Sequence, residues 1–357
     1  MNLIWFGLGL LALISGAEAL VRGASKLSVS FGISPLVVGL TVVAFGTSAP
    51  ELVVSLRSAY AGHGEIAIGN VVGSNIFNLW FILGLSALIV PLAVDQQLVR
   101  QEVPIMIGIS LLFWALAADG GIGRVDGVLF VLLLAGYTYL LIWQSQREPA
   151  SIRTQCADSI GIPNNDGWDR HLSVQVLLIL GGLALLVVGA RWLVDAAVAF
   201  SRYLGVSELV VGLTIVAAGT SLPEVATSLL AAVRGQRDIA VGKVIGSNLF
   251  NILGVLGISA AIAPVELTVA PQLLAVDLPI MVVAALACLP IFFTGNLIAR
   301  WEGVLFFAYY IGYIAYLVLL ASQHEILSDY RVVIGFFVLP LTSVTLSILA
   351  LRHWRAS

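Results

Sequence analysis

Two glutamates stand in the middle of long apolar stretches, each directly after a proline. Glu51 follows Pro50 in TVVAFGTSAPELVVSL, and Glu224 follows Pro223 in TIVAAGTSLPEVATSL. Proline lacks a backbone donor and clashes with the carbonyl one turn earlier, so it frees carbonyl oxygens. Inside a membrane, freed carbonyls are tolerated only where they line a cavity, and each carboxylate costs at least ~3 kcal/mol unless it meets a cation or a partner. A hard metal ion bound by these oxygens would remove both costs.

A second pair of motifs, GSNIFN at 73–78 and GSNLFN at 246–251, supplies neutral oxygen donors. The serine and the last asparagine of each motif are four residues apart, so they share one helix face. With the carboxylates and carbonyls they would form an oxygen-only site. Ca²⁺ takes roughly 6–8 oxygen ligands in flexible geometry, whereas Mg²⁺ requires a stricter octahedron. The donors of this second pair are Ser74, Asn75, Asn78, Ser247, Asn248 and Asn251.

These residues also have alternative roles that need no ion. A buried acid could serve the fold alone, although an unpaired carboxylate at this depth is costly and the pattern occurs twice. Ser74 and Ser247 could be small residues that allow close helix packing. Asn75 and Asn248 could form interhelical hydrogen bonds instead of contacting an ion.

The composition places these motifs in a membrane. The chain has 357 residues, of which 60% are hydrophobic and 10% charged, and its mean hydropathy is +1.04. Soluble domains carry about 25% charged residues, so the sequence predicts an all-α polytopic membrane protein. A net charge of −3 gives no reason to expect a nucleic-acid partner, and two cysteines and four scattered histidines indicate neither disulfides nor a zinc site.

The two halves of the chain repeat each other. Residues 36–56 and 209–229 are identical at 15 of 21 positions, at an offset of 173, and the same offset aligns the two GSN motifs. Such extended self-similarity indicates two copies of one structural unit. Apolar runs predict five helices in each copy, near 3–29, 33–59, 67–91, 101–118 and 125–144, and near 172–202, 206–232, 240–264, 274–293 and 299–321.

An odd number of helices makes the second copy enter the membrane from the opposite side. We therefore expect two inverted five-helix repeats, at 1–144 and 171–321, whose helix breaks meet at mid-membrane. A polar cytoplasmic linker at 145–170 joins them, and a further helix at 332–351 has no counterpart. With the N-terminus outside and the C-terminus in the cytoplasm, twelve of the 17 Lys and Arg residues, Lys243 among them, would lie on the cytoplasmic side, as the positive-inside rule favours.

The paired GTS-x-PE and GSN motifs resemble the two alpha repeats of the cation/calcium antiporter superfamily, in its sodium/calcium exchanger family (prokaryotic type). The resemblance covers nearly the full chain. It implies a ten-helix core that exchanges Na⁺ for Ca²⁺ across the cell membrane by alternating access. It further implies electrogenic exchange. Some members of the family carry an aspartate at the position of Asn251, and in having a neutral residue there this chain resembles the potassium-independent members.

The resemblance also implies a set of ion ligands. Glu51 and Glu224 correspond to the principal carboxylates. Hydroxyl and carbonyl ligands correspond to Thr47, Ser48, Thr220 and Ser221. Backbone-carbonyl ligands correspond to Ala44 and Ala217, and the second motif completes the set with Ser74, Asn78, Ser247 and Asn251.

Three other functions remain open from the residues. A proton/calcium antiporter of the same superfamily shares the acids and the fold. A cation channel would pass Ca²⁺ without a counter-ion gradient. An intramembrane hydrolase would need paired acids or a Ser/His arrangement, yet no histidine lies inside the motifs. We expect a transporter with no enzymatic activity, no cofactor and no evident protein partner, whose substrates are Ca²⁺ and Na⁺.

Overall fold

The computed structural model describes residues 2–31, 35–147, 171–203, 219, 221–293, 296–322 and 326–327. Within these ranges the chain is almost entirely helical. Eight described helices are long and apolar enough to cross a membrane, or nine if one bent pair counts as a single span. The expected helix at 332–351, most of the linker, and the site candidates Ala217 and Thr220 lie outside the described residues.

The first half contains eight α-helices, several of which continue directly into a π-helical segment. They are α1 (Asn2–Phe31), α2 (Pro35–Val38), α3 (Ala44–Thr47), α4 (Ala49–Tyr60), α5 (Gly64–Ile76), α6 (Gly84–Ile89), α7 (Val103–Leu116) and α8 (Arg124–Arg147). The π segments are Gly39–Val43, Phe77–Leu83 and Leu98–Glu102, and a 3₁₀ turn spans Ala117–Asp119.

The second half repeats this order where it is described. Its helices are α9 (Leu172–Tyr203), α10 (Leu222–Val233), α11 (Arg237–Phe250), α12 (Gly257–Ile262), α13 (Leu278–Phe293) and α14 (Arg300–Ala321). Its π segments are Asn251–Leu256 and Leu273–Asp277. The π segments that follow α5 and α11 begin within the GSN motifs, so those motifs do not continue as regular α-helix.

The helix break expected near Pro50 is present. The span formed by Leu36–Thr47 and Ala49–Tyr60 bends by 47° at Ser48. Pro50 lies in the first turn of α4, where its missing N–H would have no partner in any case. Ser221 has nearly the same backbone conformation before α10 (φ −93°, ψ 8°) as Ser48 has before α4 (φ −82°, ψ 7°).

The first helices of the two halves, α1 and α9, pack closely in opposite directions. A Cβ built on Gly9 would lie 2.9 Å from the Gly189 carbonyl oxygen, and one on Gly16 would lie 2.8 Å from the Gly182 carbonyl oxygen. Position numbers rise along α1 as they fall along α9, so the helices are antiparallel. Small residues at a helix interface let backbones approach in this way inside a membrane.

Two short antiparallel strand pairs join loops of one half to loops of the other. Strand β1 (Leu92–Ala93) pairs with β4 (Leu297–Ile298), with Leu92 opposite Ile298. Strand β2 (Gly121–Ile122) pairs with β3 (Leu267–Thr268), with Gly121 opposite Thr268. Each pairing therefore takes one strand from each half of the chain.

Candidate ion site between the two halves

The two helix breaks face each other, and each glutamate contacts the serine of the opposite break. The Ser221 hydroxyl donates to Oε1 of Glu51 at 2.9 Å, and the Ser48 hydroxyl donates to Oε1 of Glu224 at 3.4 Å. Both glutamates are only 1% exposed. The repeat aligns Ser48 with Ser221 and Glu51 with Glu224, so the two contacts are equivalent bonds made in opposite directions.

Each glutamate keeps its second oxygen unpartnered. Oε2 of Glu51 and Oε2 of Glu224 are buried and have no hydrogen-bond partner among the described residues. A buried acceptor without a partner loses the free energy of its hydration, and the loss is larger for a carboxylate. A cation held between the two Oε2 atoms would restore that interaction.

The asparagines of the GSN motifs form a symmetric network across the two halves. Asn75 and Asn248 each donate from Nδ2 to the other's backbone carbonyl oxygen, both at 3.4 Å. Asn78 donates to Oδ1 of Asn248 at 3.0 Å, and Asn251 donates to Oδ1 of Asn75 at 3.0 Å. Asn75 and Asn248 thus make the interhelical hydrogen bonds that were one of their two expected roles.

This network leaves the remaining amide oxygens available. Because Asn78 and Asn251 use their nitrogens as donors, their Oδ1 atoms are buried without a partner among the described residues. The Ser247 hydroxyl oxygen is in the same state, and Ser74 is 7% exposed. The oxygens of Glu51, Glu224, Asn78, Asn251 and Ser247 that lack partners are therefore the types that a hard cation prefers.

Packing brings these oxygens to one region. Helix α4, which carries Glu51, packs on the π segment that begins with Asn251, and α10, which carries Glu224, packs on the π segment that contains Asn78. Helix α3 packs on α11, the helix of Ser247. The described residues contain no cluster of three or more His, Cys, Asp or Glu suited to a metal, so a cation between the glutamates would take its other ligands from neutral oxygens.

The remaining candidates in the first half lie on the turn before the break. The Thr47 hydroxyl donates to the Val43 carbonyl oxygen at 3.1 Å and to that of Ala44 at 3.4 Å. The Ala44 carbonyl oxygen also accepts the Ser48 N–H at 3.0 Å. Both Ala44 and Thr47 are buried, and their oxygens already take part in hydrogen bonds of their own helix.

Sequence reasoning missed one polar residue beside the site, Asn70. Its Nδ2 donates to the Glu51 backbone carbonyl oxygen at 3.1 Å and to the Ser55 hydroxyl at 2.9 Å, which ties α5 to α4 at the residue that carries the carboxylate. The signal was present in the repeat, because Asn70 and Ser55 both align with polar residues, Lys243 and Ser228, at the offset of 173.

The structure corrects the interpretation of Lys243 as a cytoplasmic charge. Lys243 lies in the middle of α11 and is only 1% exposed. Its position in sequence, six residues after the start of the helix, places it well inside the span rather than in a loop. A buried lysine cannot contribute to the charge bias of the loops, so Lys243 does not belong among the residues counted on the cytoplasmic side.

Comparison with known proteins agrees with this architecture. The family model described as sodium/calcium exchanger protein matches residues 1–143 and 174–319. The chain is 38% identical over 310 residues to the putative antiporter CaxA of Alkalimonas amylolytica, covering 85% of this chain and 95% of CaxA. It is 32% identical over 346 residues to the sodium/calcium exchanger MaX1 of Methanosarcina acetivorans, covering 89% and 98%.

A solved structure has the same fold. The structure of the sodium-calcium exchanger NCX_Mj superposes with a TM-score of 0.74 at 32% identity, covering 88% of this chain and 98% of that one. The apolar helices and this fold therefore agree with the expectation, drawn from the sequence, of an all-α polytopic membrane protein of the exchanger type. On these grounds the chain belongs to the sodium/calcium exchanger protein family, a family of membrane antiporters.

Proposed function

We propose that the protein is a secondary active antiporter that exchanges Na⁺ for Ca²⁺ across the cell membrane by alternating access. The observation that carries the proposal is the pair of buried glutamates. In each of them one carboxylate oxygen has no partner among the described residues, and the other accepts a hydrogen bond from a serine of the opposite half. The exchangers MaX1 and NCX_Mj, which this chain resembles over most of its length, are named for the same ions.

The proposed ion ligands are those expected from the sequence. Glu51 and Glu224 supply the negative charge, and the free amide oxygens of Asn78 and Asn251 add neutral ligands beside Ser74 and Ser247. Ser48 and Ser221 are available as ligands through the lone pairs of their hydroxyl oxygens, while their hydrogens stay bonded to the glutamates. The carbonyls and hydroxyls of Ala44, Thr47, Ala217 and Thr220 complete the proposed set.

Alternating access needs a site that both halves share. We infer that residues 1–144 and 171–321 are inverted five-helix repeats, with the N-terminus outside, the C-terminus in the cytoplasm, and one further helix after the core. The antiparallel course of α1 and α9 supports this arrangement, as do the reciprocal bonds of the asparagine network. Because each of these hydrogen bonds joins one half to the other, a rocking motion of the halves would break hydrogen bonds on one side of the ion and form equivalent ones on the other side.

The exchange is proposed to be electrogenic and independent of K⁺. Three Na⁺ for one Ca²⁺ moves one net positive charge in each cycle, and one charge couples transport to voltage by about 2.3 kcal/mol per 100 mV. The site has two carboxylates, and the neutral Asn78 and Asn251 provide no third acid that would hold a co-transported K⁺.

The driving ion is tested in proteoliposomes that contain the purified protein. Ca²⁺ uptake is expected to require Na⁺ inside the vesicle, and to proceed equally in the presence and absence of K⁺. Uptake that follows an imposed proton gradient and ignores Na⁺ would show a proton/calcium antiporter instead. Ca²⁺ entry with no counter-ion gradient at all would show a channel.

A further inference from the structure

An ion pair joins α1 to the end of α10. Nη2 of Arg234, the residue that follows α10, donates to Oε2 of Glu18 in the middle of α1. Further along α1, the Ser25 hydroxyl donates to Oε1 of Gln236 at 3.2 Å. Arg234 and Gln236 both lie in the turn between α10 and α11, so two side-chain contacts attach this turn to α1.

The equivalent turn of the first half, between α4 and α5, has the same backbone. Gly62 and Gly235 both have positive φ, at 79° and 76°. The residues before these glycines, Ala61 and Arg234, follow α4 and α10 with φ −77° in each case. A difference between the two turns in what they contact therefore comes from their side chains and not from their backbones.

The side chains of the first turn cannot form the same contacts. The offset of 173 aligns Glu18 with Arg191, Arg234 with Ala61, Ser25 with Val198, and Gln236 with His63. The acid of α1 thus corresponds to a base on α9, and the arginine that pairs with the acid corresponds to an alanine. An arrangement of α9 on the first turn that copies the present one would bring Arg191 to Ala61, without an ion pair.

The packing of the helices is unequal in the same sense. Helices α1 and α9 pack symmetrically against each other, because the close contact of Gly9 with Gly189 corresponds to that of Gly182 with Gly16 at the offset of 173. Helix α1 also packs on α10, whereas α9 makes no comparable contact with α4 among the described residues. Inverted repeats reach the state that is open on the other side of the membrane by exchanging such arrangements. In that state α9 would pack on α4 as α1 now packs on α10.

We propose that the ion pair of Glu18 and Arg234 is a one-sided latch, which stabilises the state in which α1 packs on α10. The inference rests on the proposed function, because it takes the protein to alternate between two states that exchange the roles of its halves. The opposite state loses the latch and gains no ion pair in return, so the latch shifts the equilibrium between the states. In the proposed orientation the turn between α10 and α11 is cytoplasmic, and the latch favours the state that is closed on that side.

The exposure of the two side chains sets the size of the effect. The side chains of Arg234 and Glu18 are 56% and 37% exposed, and an ion pair of this kind changes an equilibrium by up to about fivefold. The apparent affinity for an ion is reduced by the fraction of the protein that is in the competent state. Loss of the latch should therefore lower the cytoplasmic Ca²⁺ concentration for half-maximal exchange, relative to the external one, by up to about fivefold.

The test is hydrogen–deuterium exchange of the purified full-length protein, which reports on the two turns separately. We expect Arg234→Gln to speed exchange in peptides that cover 234–236 and to slow it in peptides that cover 61–63, because α9 packs on the first turn in the opposite state. Ala61→Glu places an acid where Arg191 arrives in that state, and it should cause the same two changes. Ala61→Gln is the matched control without the charge and should cause neither. Glu18→Arg combined with Arg234→Glu restores the ion pair with reversed charges and should restore the wild-type exchange.

Three results would overturn the inference. Exchange in Arg234→Gln could change at 234–236 alone or at neither turn, Ala61→Gln could act as Ala61→Glu does, or the charge-reversed pair could behave like Arg234→Gln. Size-exclusion profiles and melting temperatures verify that each variant is folded. The exchange pattern does not depend on which ions are transported. Opposite changes at the two turns in a protein that does not exchange Na⁺ for Ca²⁺ would therefore support the latch and overturn the proposed function, which separates the two failures.

Discussion

Ser221 donates its hydroxyl hydrogen to Oε1 of Glu51 at 2.9 Å, across the boundary between the two halves of the chain. The equivalent bond in the opposite direction, from Ser48 to Glu224, is 3.4 Å long. The pair is symmetric in sequence but not in length. Since a bond to a charged acceptor contributes more as it shortens towards its optimal distance, the two serines should differ in how strongly they fix their glutamates.

We expect Ser221→Ala to impair Ca²⁺ transport more than Ser48→Ala does. Loss of a hydrogen bond to a carboxylate costs about 1.5–3 kcal/mol, so Ser221→Ala should raise the Ca²⁺ concentration for half-maximal uptake on the order of tenfold or more, and Ser48→Ala by less. Initial rates of Na⁺-driven Ca²⁺ uptake, measured over a range of Ca²⁺ concentrations, give both values. An equal or larger effect of Ser48→Ala would show that the difference in bond length has no functional meaning.

The asparagine network predicts energetic coupling between specific pairs. Asn251 donates to Oδ1 of Asn75, so removal of Asn75 should also release the amide that Asn251 presents to the ion. In a double-mutant cycle of alanine substitutions on melting temperature and Ca²⁺ affinity, Asn75 and Asn251 should couple by about 0.5–3 kcal/mol, the range for residues in one hydrogen-bond network.

Asn75 and Asn78 make a matched comparison, because both lie in the same GSN motif and no hydrogen bond joins their side chains. Their alanine substitutions should combine with a smaller coupling energy than those of Asn75 and Asn251. Strict additivity of Asn75→Ala and Asn251→Ala would contradict the role of Asn75 as the residue that orients Asn251.

Electrogenic exchange is tested through the reversal condition. With the vesicle potential clamped by a potassium ionophore, the Na⁺ and Ca²⁺ gradients at zero net flux should shift with voltage, because one charge adds about 2.3 kcal/mol per 100 mV. Initial rates alone do not decide this, since a voltage-insensitive step can limit them. Zero net flux that stays at the two-for-one gradient balance at every voltage would establish electroneutral exchange.

The sequence was sufficient to predict that the two glutamates belong to the site and that a helix break lies beside Glu51. Pro50 can occupy only the first turn of a helix without loss of a hydrogen bond, which predicted a break shortly before it, and the structure bends at Ser48. The offset of 173 also predicted which residues of the two halves correspond. It could not predict that Ser48 contacts Glu224 and Ser221 contacts Glu51, because correspondence says nothing of distance across the boundary.

The π-helical segments and the burial of Lys243 were not predictable in the same way. An α-helical spacing of four placed Ser74 and Asn78 on one face, but a π segment begins at Phe77 between them, and π turns depend on tertiary packing as much as on residue type. Charged residues such as Lys243 are expected in loops. Its alignment with Asn70 at the offset of 173 was the indication that it occupies the position of a buried polar residue.

The central claim is that Glu51 and Glu224 hold the transported cation. Na⁺-driven Ca²⁺ uptake by Glu51→Gln and Glu224→Gln in proteoliposomes tests it most directly, since each substitution removes one negative charge and keeps the size of the side chain. The exposed Glu65 at the start of α5 provides the control substitution Glu65→Gln. We predict that both site variants fold with wild-type size-exclusion profiles and lose Ca²⁺ uptake, while the control transports normally. Normal Ca²⁺ uptake with normal affinity in either site variant would contradict the claim.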